Sequence, residues 1–279
     1  SYRLVALPGT GRQPLASVLS GEANTDWSAY WDDGTGENFF QKYDGSNTFE
    51  FAPGRGFWVL ADEPLRFDGT VDTVLLNAEG QYTIPLHEGW NIISNPLAAD
   101  VGWERVQAAN APAVSGTEDE AIGSLWAWNG GFIVTPSFKS AASGDAYYFR
   151  NNSGLDSLRI PYPGAQPEGR EAEKSARRKQ RQRLVTLEAL VDAQPVSTVQ
   201  VGFQKEASSH GAKHEVAPPM RFQPVGLRLE EDPSAQKRAK NEARSTWLAR
   251  TTRRVNAGGV SVDVQLKAAD RSVVQLRAR

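Results

Sequence analysis

The feature that most constrains this chain is that its first 164 residues repeat themselves. Leu4-Val5-Ala6-Leu7-Pro8-Gly9 answers to Trp90-Asn91-Ile92-Ile93-Ser94-Asn95-Pro96, with Pro8 and Pro96 offset by 88. Lys42-Tyr43-Asp44-Gly45 answers to Ala127-Trp128-Asn129-Gly130 at 85, and Phe51-Ala52-Pro53-Gly54 with Arg55-Gly56-Phe57-Trp58 answers to Ala141-Ala142-Ser143-Gly144 with Asp145-Ala146-Tyr147-Tyr148 at 90. Leu65-Arg66-Phe67-Asp68-Gly69 answers to Leu158-Arg159-Ile160-Pro161-Tyr162 at 93. Order is kept while the offset drifts, which is the mark of loops inserted between matched strands. Repeat 1 spans about residues 1–78 and repeat 2 about 79–164.

One unit is small and reads as sheet. An apolar strand stops at proline, which cannot donate to a ladder. A short helix follows, at Leu15–Leu19 in one copy and Val101–Val106 in the other. Asp-Gly and Asn-Gly are hairpin turn pairs, because both positions tolerate positive φ. Pro53-Gly54 suits a type II turn, and Gly56-Phe57-Trp58-Val59-Leu60 is the aromatic and branched run of a buried strand. The expectation is two similar antiparallel β-units packed together.

Composition changes past residue 164. The first part holds 9 Lys+Arg against 20 Asp+Glu and seven of the eight Trp; the remainder holds 22 and 13, so the overall charge of −2 hides a difference of sign. Gly164–Gly169 is turn-rich and Arg170–Arg183 is charged without an apolar face, so 165–183 is read as a linker or exposed hairpin. Strand patterns resume at Leu184–Val191 and at Val196–Phe203, where Val199, Val201 and Phe203 share one face. They recur at Pro224–Leu229, Ser245–Arg250, Val260–Leu266 and Val273–Leu276, and the spacing suggests a second β-domain over 184–279, sandwich-like or jelly-roll-like. The fold class expected is therefore all-β with few short helices.

The absence of Cys removes disulfide scaffolds, thiolate metal sites and cysteine nucleophiles from consideration, and three His make a histidine-rich metal site an unattractive reading. No run approaches ~18 apolar residues, so no membrane-spanning helix is expected. The chain opens directly on the strand-like Tyr2–Leu7 and is read as a processed piece of something longer.

Aromatic residues are the main candidates for chemistry. Trp31, Tyr43, Trp58, Trp126 and Trp128 could stack sugar rings, since an aromatic face matches the C–H face of a pyranose; the competing and preferred reading is core packing. Asp32-Asp33-Gly34-Thr35-Gly36-Glu37-Asn38 offers oxygen ligands for Ca²⁺ but lacks EF-hand spacing, and a solvated acidic loop is preferred. Gly9-Thr10-Gly11-Arg12 and Gly54-Arg55-Gly56 are too short to be phosphate fingerprints. Arg170–Arg183 could meet polyanions, but its Glu residues and lack of aromatics argue against nucleic acid. No Gly-x-Ser-x-Gly elbow is present, His87 sits in a connector, and no catalytic residue is assigned.

Gly89-Trp90-Asn91-Ile92-Ile93-Ser94-Asn95-Pro96, Trp126-Ala127-Trp128-Asn129-Gly130 and Pro53-Gly54-Arg55-Gly56-Phe57-Trp58-Val59 together resemble a module of secreted and cell-surface Bacteroidota proteins that use type IX secretion. Ser197–Phe203, Ala217–Met220 and Ser245–Arg250 resemble the region following it. The second copy departs from the pattern, with Ala142-Ser143-Gly144-Asp145 in place of Pro-Gly-x-Gly, and Ser209–His214 stands where an Asp/Tyr-rich loop is expected. The resemblance implies an extracellular location and a C-terminal sorting domain beyond Arg279. It brings no catalytic residue. The functional expectation is a non-catalytic adhesion or scaffold segment whose partners are other domains of a longer polypeptide, surface proteins or glycans. A carbohydrate-binding module and a glycan-active enzyme fragment are the alternatives.

Overall fold

The computed structural model describes residues 2–32, 40–63, 66, 71–111, 122–164, 183–204, 214–216, 218, 225–229, 248–254, 264–268 and 274–278. It is all-β, with two short α-helices among the described residues. The chain divides into two compact units, one of residues 1–128 and 134–166, the other of 129–133 and 167–279.

In the first unit the strands in chain order are β1 (Tyr2–Ala6), β2 (Gln13–Pro14), β3 (Trp27–Asp32), β4 (Phe40–Lys42), β5 (Glu50–Phe51) and β6 (Gly56–Ala61). After them come β7 (Gln81–Pro85), β8 (Gly89–Ile93), β9 (Val101–Gly102), β10 (Leu125–Trp128), β11 (Phe132–Thr135, whose first two residues fall in the other unit), β12 (Ser137–Phe138), β13 (Tyr147–Asn151) and β14 (Ser157–Pro161). One sheet has the order β1-β6-β3-β4 and the other β8-β13-β10-β11. The connectivity is the same: the first strand at an edge, the last beside it, then the two between. Both also carry a two-stranded clip, β2 with β5 and β9 with β12, whose first strand leads straight into a helix. The helices are α1 (Leu15–Val18) and α2 (Trp103–Asn110), and each turns an apolar stripe inward, Leu15 and Val18 in one, Trp103 and Val106 in the other.

Register shows how deep the correspondence goes. Val5 lies opposite Phe57, and Ile93 opposite Tyr147. Those are the 88 and 90 offsets of the sequence. The match at 85 does not hold as an equivalence of turns. Gly130 sits in the connection from β10 to β11, whereas Gly45 follows β4; the β3–β4 connection, 33–39, lies outside the described residues. Leu65 and 67–69 of the fourth match are outside them too.

These strands are buried on both faces, so they read as continuous apolar runs without clean alternation. On the outer face of the first sheet, Val5, Phe57, Val59, Trp27 and Ala29 pack with Leu15, Val18, Phe49 and Phe51. On the outer face of the second, Ile93, Tyr147, Phe149 and Leu125 pack with Trp103, Val106 and Phe138, closed by Ile84, Leu158 and Ile160 of the β7–β14 pair. The inner faces meet each other. Trp58 touches Trp128 edge-on (centroids 4.8 Å apart) and Tyr148 (6.0 Å), and Tyr148 touches Trp90 (5.8 Å).

Backbone bonds cross this seam in matched pairs. The Ala6 amide donates to the Gly144 carbonyl at 3.1 Å, and the Ser94 amide to the Gly54 carbonyl at 3.0 Å. Val5 bridges to Asp145, and Arg55 to Ile93. By the same offsets, each of these is the other with the repeats exchanged. Two sheets held this way have an approximate twofold relation in which each half supplies the turn that finishes the other's edge strand.

The second unit holds β15 (Arg183–Val191), β16 (Gln194–Gln204), β17 (His214–Val216), β18 (Val225–Leu229), β19 (Leu248–Arg254), β20 (Val264–Ala268) and β21 (Gln275–Ala278). Their order is β20-β18-β19-β16-β15-β21, with β17 also on β19. The Leu227 amide donates to Ser197 Oγ at 2.9 Å, so β18 lies over β16 two places along the path, and the sheet folds onto itself sandwich-fashion. Ala189, Val196, Val199, Val201, Val225, Leu227 and Leu229 form its core. Leu266 alternates onto the same face as Val264 and is 43% exposed, on the edge strand β20. Of the expected linker, 165–182 lies outside the described residues.

Candidate functional site

The five aromatic candidates do not gather on one surface. Trp58 and Trp126 are 1% and 2% exposed, so neither ring has a free face for a sugar. Trp128 is half-buried, and its Nε1 donates to the Tyr2 carbonyl at 2.9 Å. Trp31 and Tyr43, also half-buried, lie on the outer side of the first sheet. Tyr43 meets Trp27 and Phe49 edge-to-face, at 5.0 and 5.2 Å. The physical reason is repetition itself: two small sheets with three apolar layers between and around them need bulky filling, and aromatic rings supply the most buried area per residue.

Sequence reasoning missed two features. The first is a buried polar chain in the seam. Trp58 Nε1 donates to the Tyr148 hydroxyl (3.1 Å), which donates to Asp32 Oδ2 (3.0 Å). Asp32 is 1% exposed. The acidic stretch considered for Ca²⁺ therefore begins with a carboxylate already committed to the seam, and Asp33–Asn38 lie outside the described residues. Alternation was the available signal: Asp32 falls on the same strand face as Tyr30, and Tyr30 is opposite Trp58.

The second is Arg55. The Arg55 amide closes a turn onto the Ala52 carbonyl (3.0 Å), with Gly54 at φ +81 in the position the Pro-Gly pair prepares. Two residues before Phe57, Arg55 shares that residue's strand face, and its Cζ lies 4.2 Å from the Trp31 ring centroid and 5.2 Å from that of Phe57. Its Nε and Nη2 are buried and have no hydrogen-bond acceptor. Burial, then repulsion from Arg12, lowers its pKa to about 10, partly opposed by Glu50. Arg12 itself reaches Glu50 at 3.7 Å.

Asparagines of the motif Gly89–Pro96 hold backbone. Asn91 accepts from the His87 amide (3.0 Å) and donates to the His87 and Gly89 carbonyls; Asn95 donates to Ala99 and Phe138 and accepts from Leu97. His87 is thus fixed as a connector, its Nδ1 at 2.9 Å from the Glu88 carbonyl. Among the described residues, no group of three or more His, Cys, Asp or Glu is placed to hold a metal ion, and no helix is long and apolar enough to cross a membrane.

No protein-family model matches the chain, and no curated protein or solved structure matches it either. The functional reading therefore stands on the residues and geometry alone.

Proposed function

We propose that this chain is a non-catalytic structural and interaction segment, an adhesion or scaffold module of a secreted or cell-surface bacterial protein. The observation that favours a structural role over sugar binding is the destination of the aromatics, while the surface location rests on the resemblance carried by Gly89–Pro96 and Pro53–Val59. Of the seven Trp within the first unit, Trp27, Trp58, Trp90, Trp103 and Trp126 are buried. Rings on this scale, with backbone bonds exchanged across the seam, make a rigid spacer that holds its own shape without cofactor or disulfide. What such a module offers to partners is its rim and its strand edges. In the second unit β21 is an edge strand, with Leu276 62% exposed, the geometry on which a partner strand can add.

The test has two arms. Protease treatment of intact source cells should release or clip the segment if it is displayed outside. A glycan array probed with the purified chain should show no saturable binding that depends on Trp31 or Tyr43. Glycan binding abolished by Trp31→Ala, with the circular dichroism spectrum unchanged, would replace this reading with the carbohydrate-binding one. Protection of the chain in intact cells, with cleavage after lysis, would remove the surface assignment.

A further inference from the structure

We infer that Arg55 is the anchor of a carboxylate-binding site, and that its ligand is an acidic side chain of a partner polypeptide. Three observations converge on this side chain. Its Nε–H and one Nη2–H point the same way from the guanidinium plane, the fork that accepts both oxygens of one carboxylate. Those are the two nitrogens that the structure leaves buried without an acceptor. A buried, unpaired donor is costly, and native proteins rarely keep one without a use. Among the described residues, Arg12 and Arg55 both act on the carboxylate of Glu50, which Arg12 already engages.

Ring contact and the charge of Glu50 hold the guanidinium where it lies. It rests over Trp31 and Phe57 with Nε and Nη2 lacking an acceptor, while Arg55 as a whole is half-buried. The preceding turn fixes the backbone that carries it. The choice of a peptide carboxylate over a uronic acid follows from the same contacts. A pyranose needs an aromatic face, and the face of Trp31 nearest the cation is already taken by it. The second repeat has Asp145 where the first has Arg55, so the site belongs to one half of the twinned unit.

This inference rests on the interaction reading above and names the chemistry of one partner contact; its failure would leave the surface and glycan-array tests untouched. The experiment is a titration of the ¹⁵N-labelled full chain, following the Arg55 Nε–H resonance and the Gly54 and Gly56 amides. The probes are N-acetylglutamate amide, sodium glucuronate and sodium chloride at equal ionic strength. A saturable shift with N-acetylglutamate amide and not with chloride is expected. Arg55→Lys keeps the charge and loses the fork, and should weaken the response at the glycine amides about tenfold or more. A second variant, Trp31→Phe, keeps a ring beneath the cation and should retain the response. Equal, unsaturated drift with all three salts, or undiminished binding by Arg55→Lys, would overturn the site. A preference for glucuronate would overturn the peptide assignment.

Discussion

Gly56→Ala tests whether the two sheets are really closed against each other. Gly56 begins β6 and faces the seam; a Cβ built there lies 2.5 Å from the Ala146 Cβ, 2.8 Å from Ile92 Cγ2 and 3.3 Å from the Val5 carbonyl oxygen. Carbon atoms pack at about 3.5–4.0 Å, so the sheets must part by about 1 Å or the strands must bend. Overpacking of this kind costs about 3 kcal/mol. The offset of 90 makes Ala146 the counterpart of Gly56, which supplies a compensating change. Ala146→Gly alone should cost about 1.5 kcal/mol, from backbone entropy and a lost methyl contact. In the double variant the methyl is moved across the seam and the Cβ–Cβ collision is gone, leaving the Ile92 and Val5 contacts and the entropy of the new glycine. Its cost should be about 2 kcal/mol, well under the sum of about 4.5, for a coupling of about 2.5 kcal/mol within the range seen for touching residues. Urea unfolding followed by tryptophan fluorescence is the assay, since seven of eight Trp lie in this unit. Gly56→Ala should also lower Tm by about 6–12 °C. Strict additivity of the two substitutions would refute the packed seam.

Four further outcomes follow from the same geometry. Tyr148→Phe removes the hydroxyl between Trp58 Nε1 and Asp32 and should destabilise the first unit by about 2–4 kcal/mol in the same unfolding assay. Burial first, and then the charge of Asp145, pushes the Tyr147 pKa up to about 12; because the folded value lies above the unfolded one, the stabilisation is complete below pH 10 and is lost as pH rises through about 12, which unfolding with absorbance at 295 nm will show. Arg55 has the opposite sign, its folded pKa lowered to about 10, so the charged form carries a burial penalty at neutral pH and Arg55→Met should raise Tm. Asp192 and Ala193 turn the β15–β16 hairpin at φ +50 and +62, so Ala193→Gly should stabilise the second unit by about 1 kcal/mol, read by hydrogen exchange of the β15 and β16 amides.

Legibility in the sequence tracked the strength of local constraint. Gly54 and Gly144, both at positive φ, supply the carbonyls that cross the seam, and Val5 opposite Phe57 and Ile93 opposite Tyr147 follow the offsets of 88 and 90. Asp44-Gly45 misled because a turn pair records the need for positive φ and nothing about which strands it joins; Gly45 has φ +80 and Gly130 φ +73 in turns that are not counterparts. Trp126 and Leu125 alternate in sequence, yet both are buried, at 2% and 0%, because the sheet is covered on both sides. No period-2 reading could choose a face where there is no exposed one. The partners of Asp32 and Arg55 were invisible for another reason: Tyr148 is 116 residues from Asp32, and the ring under Arg55 belongs to a different strand.

The repeats differ most where the shared backbone asks least. At the seam the paired bonds Ala6–Gly144 and Ser94–Gly54 use only main-chain atoms, and so they survive any side chain that fits. Gly56 and Ala146 are both small because they face each other across it. One residue earlier the constraint ends. There the bridge from Arg55 to Ile93 and its counterpart from Asp145 to Val5 leave the side chain free, and the two repeats have opposite charges. Asp145 is used locally, taking a hydrogen bond from Ser143 Oγ at 2.9 Å, whereas Arg55 has two buried donors and no acceptor. The repeats thus share main-chain bonds and small residues at the seam and diverge in charge one residue away from it.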